Sequence, residues 1–167
     1  MRIGSGWDIH ALVPNRNLII GGVHIPHDKG ESGHSDGDVL IHAIIDAILG
    51  ALAKGDIGSH FPDTDPTYKN ADSQELLKQV LDQDMGPYSI TNIDTTIILQ
   101  RPKLREHIDA IRLNLAKVMN LDLEQVSVKA KTAEGMLNEV GSGNAIIAQA
   151  TVLISPQGNR IKIKKQQ

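Results

Sequence analysis

The sequence predicts an α/β or α+β protein: a single layer of mixed β-sheet with helices packed on one face. Three observations carry that reading. Segments with a strand's two-residue period alternate with segments of helical period through the second half of the chain. Its 167 residues are the size of one domain with a sizeable core. Aromatic residues make up only 2% of the chain, so Ile, Val, Leu and Ala must fill that core, which suits strands covered by helices. Residues 1–154 are expected to form one domain and residues 155–167 a basic tail.

Arg2 to Leu12 reads as a strand, with side chains unusually polar for its length. Asn17–Ile20 and Val23–Ile25 flank Gly21-Gly22 and predict a tight hairpin. Residues 26–37, rich in Gly, His and Asp, predict a loop. Ser35 or Asp36 is placed to cap a helix from about Asp38 to Ala53. Apolar residues surround that helix almost completely, so it is expected to be buried. Gly55–Pro66 holds three Asp, two Gly and two Pro and predicts an irregular loop. A helix over Ser73–Gln83 ends before Gly86-Pro87, and a long strand over Tyr88–Leu99 is halted at Pro102. A third helix covers Leu104–Met119, with Ile108, Ile111, Leu115 and Val118 on one face. Val126–Thr132 alternates as a strand, and Ala145–Ile154 forms the last one.

The formal net charge of −3 argues against nucleic acid as the main partner, since a phosphate-tracking surface needs clustered Lys and Arg. The basic residues Arg160, Lys162, Lys164 and Lys165 read as a solvated end. No cysteine is present, so a zinc site must use His, Asp or Glu. The most apolar stretch, Val39–Ala53, is broken by His42 and Asp46 and is too short to span a bilayer. A soluble protein without a signal peptide is expected, cytoplasmic in a bacterium, or plastidic if a transit peptide has been removed.

Asp8 and His10 lie two apart on a strand, which points both to one face with Cα atoms about 7 Å apart. His42 falls in the first turns of the buried helix. Together they make an acceptable open zinc set; the bland alternative is three unrelated polar residues. Asp38, His42 and Asp46 repeat at i, i+4, so either carboxylate is placed to orient the imidazole from behind. Gly33 to Asp38 precedes the helix, where free N–H groups suit a phosphate, and His34 is placed to neutralise developing charge. Thr132 can donate to a phosphate oxygen and Glu134 can hold Mg²⁺, although both also fit an ordinary exposed strand end. Gly4-Ser5-Gly6 and Gly141-Ser142-Gly143 match no nucleotide-binding loop, and mark only backbone that turns or is closely approached. No Ser–His or Cys–His pair for activating a nucleophile is evident.

The strings Arg2-Ile3-Gly4, Trp7-Asp8-Ile9-His10, His34-Ser35-Asp36-Gly37-Asp38, His42-Ala43, Gly55-Asp56-Ile57-Gly58 and Phe61-Pro62-Asp63-Thr64-Asp65 follow one another in order. With Pro102-Lys103 and Lys129-Ala130-Lys131-Thr132, they strongly resemble the 2-C-methyl-D-erythritol 2,4-cyclodiphosphate synthase family over about residues 1–154. The resemblance implies a non-mevalonate isoprenoid enzyme. Such an enzyme cyclises 4-diphosphocytidyl-2-C-methyl-D-erythritol 2-phosphate by attack of its 2-phosphate on the β-phosphate, releasing CMP. By matching position, Asp8, His10 and His42 would bind zinc, and Glu134 would bind Mg²⁺ (or Mn²⁺) with the substrate diphosphate. His34 and Thr132 would stabilise the transition state. Ser35, Asp56, Gly58 and the run Phe61, Pro62, Asp63, Thr64, Asp65 would contact ribose and erythritol. Leu99, Gln100, Pro102, Lys103, Leu104 and Arg105 would form the cytosine pocket largely through backbone, and Lys131 would also bind substrate. The family's homotrimer, with sites between subunits, is implied as well. A zinc-dependent phosphohydrolase remains the alternative, and after it a protein whose metal only pins strand to helix.

Overall fold

The computed structural model describes residues 1–33 and 35–157; His34 and the basic tail residues Arg160 to Lys165 lie outside the described residues. A five-stranded mixed sheet has the order β4-β1-β7-β5-β6. Its strands are β1 (Arg2–Pro14), β4 (Lys29–Glu31), β5 (Tyr88–Ile98), β6 (Val126–Lys131) and β7 (Ala145–Pro156). β7 runs antiparallel to both β1 and β5, whereas β5 and β6 are parallel. β2 (Leu18–Ile20) and β3 (Val23–Ile25) form a separate hairpin around Gly21 and Gly22, both at positive φ as that tight turn requires.

The helices are α1 (Val39–Leu52), α2 (Ile57–His60), α3 (Ser73–Gln83) and α4 (Ile108–Met119). α1 crosses β1 and β7, α4 packs on β6, and α3 packs on α1 and α4. α1 is the centre of the core: Leu40, Ile41, Ile44, Ile45, Ile48 and Leu49 are all fully buried. β1 can lie against it only because Gly4 and Gly6 face it. A Cβ on Gly4 would sit 1.9 Å from the Ala47 carbonyl oxygen, and one on Gly6 would sit 2.0 Å from that of Ala43. These are the close approaches that the glycine string marked. The other face of β1 is open: Ile3 is 70% exposed, Trp7 55% and Ile9 44%.

Five expectations change. The cap of α1 is Asp38, whose carboxylate accepts the Leu40 and Ile41 N–H groups, not Ser35 or Asp36. Residues 26–37 include β4, which pairs with the end of β1 (Leu12 opposite Glu31); so short a pairing is fixed by the partner strand, not by local pattern. Asp56 caps α2 inside the expected irregular loop by accepting from the Ser59 N–H. The third helix starts at Ile108, not Leu104, because Leu104 is drawn into the core. Its carbonyl accepts from the N–H groups of His107 and Ile108, making a turn first. β7 runs two residues past the expected boundary at 154, to Pro156. No helix among the described residues is long and apolar enough to cross a membrane.

Candidate metal centre and active site

The alternation of β1 places Gly4, Gly6, Asp8 and His10 in one row facing α1. Where the glycines end, the carboxylate and imidazole begin, and there they meet His42 from the first turns of α1. Their ligand atoms all lie within 4.8 Å of one another. Asp8 Oδ2 is 3.0 Å from His10 Nε2 and 3.1 Å from His42 Nδ1. The two rings meet edge to face, 5.0 Å apart and inclined by 78°.

The surroundings decide which nitrogen faces Asp8. His10 Nδ1 lies 2.5 Å from the Gly37 carbonyl oxygen, which can only accept, so Nδ1 carries hydrogen and Nε2 points to Asp8. Burial opposes charge on both Asp8 and His10, but their mutual hydrogen bond and attraction outweigh it, with help from His42 and Glu31. Asp8 is held well below the usual carboxylate range, and His10 is pushed up to about 10. One carboxylate and two partly buried imidazoles suit a divalent ion that accepts nitrogen donors, and three ligands leave a coordination position open.

Behind His10 stands Glu31, fully buried on β4, which sequence reasoning missed because β4 was hidden in an expected loop. Its Oε2 accepts from the Val39 N–H at 2.7 Å and lies 3.1 Å from His10 Nδ1, while Oε1 has no partner. Burial above all, and then the nearby Asp38 charge, push its carboxyl up to about 8. The carboxylates expected to orient His42 are engaged elsewhere. Asp38 accepts from the Gly21, Gly22, Leu40 and Ile41 N–H groups. Burial raises it to about 6 against those four bonds. Asp46 accepts from the Ile57 N–H at 2.7 Å, tying α2 to α1, and burial raises it too. What touches His42 Nε2 is a pair of serine hydroxyls, Ser73 at 3.0 Å and Ser35 at 3.1 Å, neither evident as a His partner from sequence.

A cavity of about 330 Å³ opens beside the three ligands, lined by His10, His42 and the expected substrate residues Ser35, Gly58, Phe61, Pro62 and Asp63. Gly33 lines it too, as do Ile57, Tyr68 and Leu76, which were unforeseen; Tyr68 stacks edge to face on Phe61 with centroids 5.2 Å apart. Asp56 and Asp65 act as caps, accepting from the Ser59 and Thr67 N–H groups. Thr64 lies in the turn between Pro62 and Pro66. A second cavity, of about 910 Å³, gathers Leu99, Lys103, Leu104, Arg105, Lys131 and Thr132 at the ends of β5 and β6. Pro102 follows a cis peptide bond at its rim, and the Gln100 side chain accepts from the Gly135 N–H at 3.4 Å. The Thr132 hydroxyl donates to the Glu134 carboxylate. No residue lines both cavities.

A mixed α+β sheet carrying three clustered side chains that could hold a metal ion, beside a cavity and with a coordination position left open, has the arrangement of a metal-using enzyme rather than of a closed structural metal protein. The YgbB family matches residues 1–155. The 2-C-methyl-D-erythritol 2,4-cyclodiphosphate synthase of Clostridium perfringens is 57% identical over 155 residues, covering 92% of this chain and 99% of its own. That of Trichlorobacter lovleyi is 55% identical over 159 residues, covering 94% and 100%. Among solved structures, the CDP-bound form of such a synthase has a TM-score of 0.84 at 35% identity, covering 92% of this chain and all of its own. The bifunctional IspDF of Campylobacter jejuni has a TM-score of 0.88 at 40% identity; 93% of this chain matches 42% of that one. The chain belongs to the YgbB family, and within it to the 2-C-methyl-D-erythritol 2,4-cyclodiphosphate synthases, lyases of non-mevalonate isoprenoid biosynthesis.

Proposed function

We propose that Asp8, His10 and His42 hold zinc, and that this site cyclises 4-diphosphocytidyl-2-C-methyl-D-erythritol 2-phosphate to the 2,4-cyclodiphosphate with release of CMP. The observation carrying the proposal is the convergence of the three ligands at the mouth of the cavity lined by Ser35, Gly58, Phe61, Pro62 and Asp63. When bound, zinc supplies Lewis acidity toward a phosphate oxygen, and Mg²⁺ (or Mn²⁺) near Glu134 neutralises the diphosphate. The nucleophile is the substrate's own 2-phosphate, so no side chain has to be deprotonated for the attack. The chain's work is to fold the substrate back on itself, which is worth about 7–11 kcal/mol when geometry is held. Asp56, Gly58 and the run Phe61, Pro62, Asp63, Thr64, Asp65 position ribose and erythritol. His34 and Thr132 stabilise the charge that develops on transfer. Leu99, Gln100, Pro102, Lys103, Leu104, Arg105 and Lys131 form the cytosine side; binding of CDP by a relative supports that assignment.

The metal-side and nucleotide-side residues line different cavities of one chain, and a substrate joining the two halves needs them brought together. A homotrimer that sets one subunit's metal cavity against a neighbour's nucleotide cavity meets that need, with the open β1 face carrying Ile3, Trp7 and Ile9 as a contact surface. Its setting is the bacterial cytoplasm.

The test is a product assay with that cytidyl substrate, with and without a chelator. Cyclic diphosphate and CMP in equal amounts, lost on chelation and restored by zinc, are expected. A ring-opened diphosphate would identify a phosphohydrolase instead.

A further inference from the structure

Of the three metal-ligating side chains, His42 is the one whose far nitrogen meets no carboxylate and no carbonyl. His42 Nε2 lies 3.0 Å from Ser73 Oγ, and Ser73 Oγ lies 2.5 Å from Asp36 Oδ1. Asp36 Oδ2 also accepts from the Ser73 N–H at 3.2 Å. Ser73 is fully buried as the first residue of α3, and the Asp36 N–H is anchored on the Ala71 carbonyl at 3.0 Å. The chemistry along this line runs in one direction. A carboxylate only accepts, so the Ser73 hydroxyl donates to Asp36 and keeps only lone pairs for its other neighbours. His42 Nε2 must then be the donor to Ser73. An imidazole protonated at Nε2 and neutral overall presents the bare lone pair of Nδ1, and Nδ1 is the atom that faces Asp8 at 3.1 Å.

We propose that Ser73, backed by Asp36, is a positioning residue that holds His42 in the Nε2–H tautomer with Nδ1 aimed at the metal. The inference rests on the reading of Asp8, His10 and His42 as zinc ligands. It gives a second task to Asp36, whose Oδ1 also accepts from the Asp38 N–H at 3.2 Å just before the first turn of α1. It also separates the two serines that share His42. Ser35 Oγ, 3.1 Å from Nε2, accepts from the Gly37 N–H at 3.2 Å, keeps its own proton to donate, and lines the cavity. Ser73 spends its proton on Asp36. Neither serine is activated as a nucleophile, because the nitrogen they touch carries hydrogen. The relay joins three segments as well: the loop before α1, the start of α3, and the metal ligand on α1. The metal therefore reads the docking of α3 through one hydroxyl.

The bland rival is that Ser73 and Asp36 only staple the loop to α3. It is separated from the proposal by measuring zinc affinity, by chelator competition, in wild type and Ser73→Ala, alongside the thermal unfolding of both proteins without metal. Loss of an outer partner of a metal-bound imidazole lowers affinity by about 10- to 100-fold. A loss of that size in Ser73→Ala is expected, with activity recovering when zinc is supplied in excess. Long-range proton–nitrogen correlation spectra of the zinc-loaded wild type, which need no variant to fold, are expected to show His42 protonated at Nε2 and bound through Nδ1. Equal zinc affinity in the two proteins, or a His42 bound through Nε2, overturns the relay alone. A wild type that takes up no zinc overturns the ligand reading and the relay with it.

Discussion

Asp38 caps α1 and Asp8 meets His42 in the first turns of the same helix, and their surroundings give the two acids different work. Asp38 is wholly buried and spends both oxygens on four backbone N–H groups: two of the hairpin turn at Gly21-Gly22 and two of the first turn of α1. Asp38→Asn turns an amide N–H toward at least one of those donors. It is expected to cost about 1–3 kcal/mol in denaturant unfolding while leaving Asp8, His10 and His42 in place. Asp8 is instead held to His10 and His42, and Asp8→Ala is expected to abolish zinc uptake and turnover together, read by metal analysis and product assay. The sign of the pH effect follows from His10. Its raised value, about 10, means that the metal-free site carries a proton at neutral pH, which a cation must displace. Zinc affinity is therefore expected to rise with pH, by about tenfold per unit below that value for one displaced proton, as competition titrations would show.

At the scale of elements, the pairing of β1 with α1 sets the site. Gly6 touches backbone, which cannot swing aside as a side chain can. Gly6→Ala drives a Cβ into the Ala43 carbonyl, a contact that α1 relieves only by moving away from β1. A cost of about 3 kcal/mol is expected, or about 6–12 °C in Tm, with weakened zinc binding because His42 rides on the same helix. The long elements were legible because their periodicity spans many residues: β1, α1, α3, β5 and β7 fall where the pattern puts them. β4 and α2 were not, since three- and four-residue elements carry too little pattern. One is created by the end of β1, the other by the cap of Asp56 and the bond from Ile57 to Asp46.

For the whole molecule, the open face of β1 and the two separate cavities point the same way. If three copies close the site, the mass in solution is about three times 18.1 kDa. Trp7→Glu, which puts a charge on the exposed apolar row, is expected to shift sedimentation toward the single chain and to reduce turnover without altering Asp8, His10 or His42. A variant that sediments as wild type and keeps full activity would remove Trp7 from the contact surface.

Read alone, the chain of residues pointed to the family and the succession of strands and helices, and singled out Asp8, His10 and His42 as the candidate ligand trio. Those follow from ordered strings and from the two- and 3.6-residue periods, which are local properties of a chain. The partners of the ligands were beyond it. Asp38 and Asp46 sit one turn from His42 on the same stripe and were the natural choice to orient it, yet their oxygens are taken by backbone donors from Gly21, Gly22 and Ile57. Glu31, 21 residues from His10, and Ser73, 31 residues from His42, stand behind the imidazoles instead. Such contacts arise only once β4 has docked on β1 and α3 on α1. Which buried acceptor finds which donor is settled by the packing of those elements, because every buried polar group competes for partners in three dimensions and sequence spacing does not record the competition.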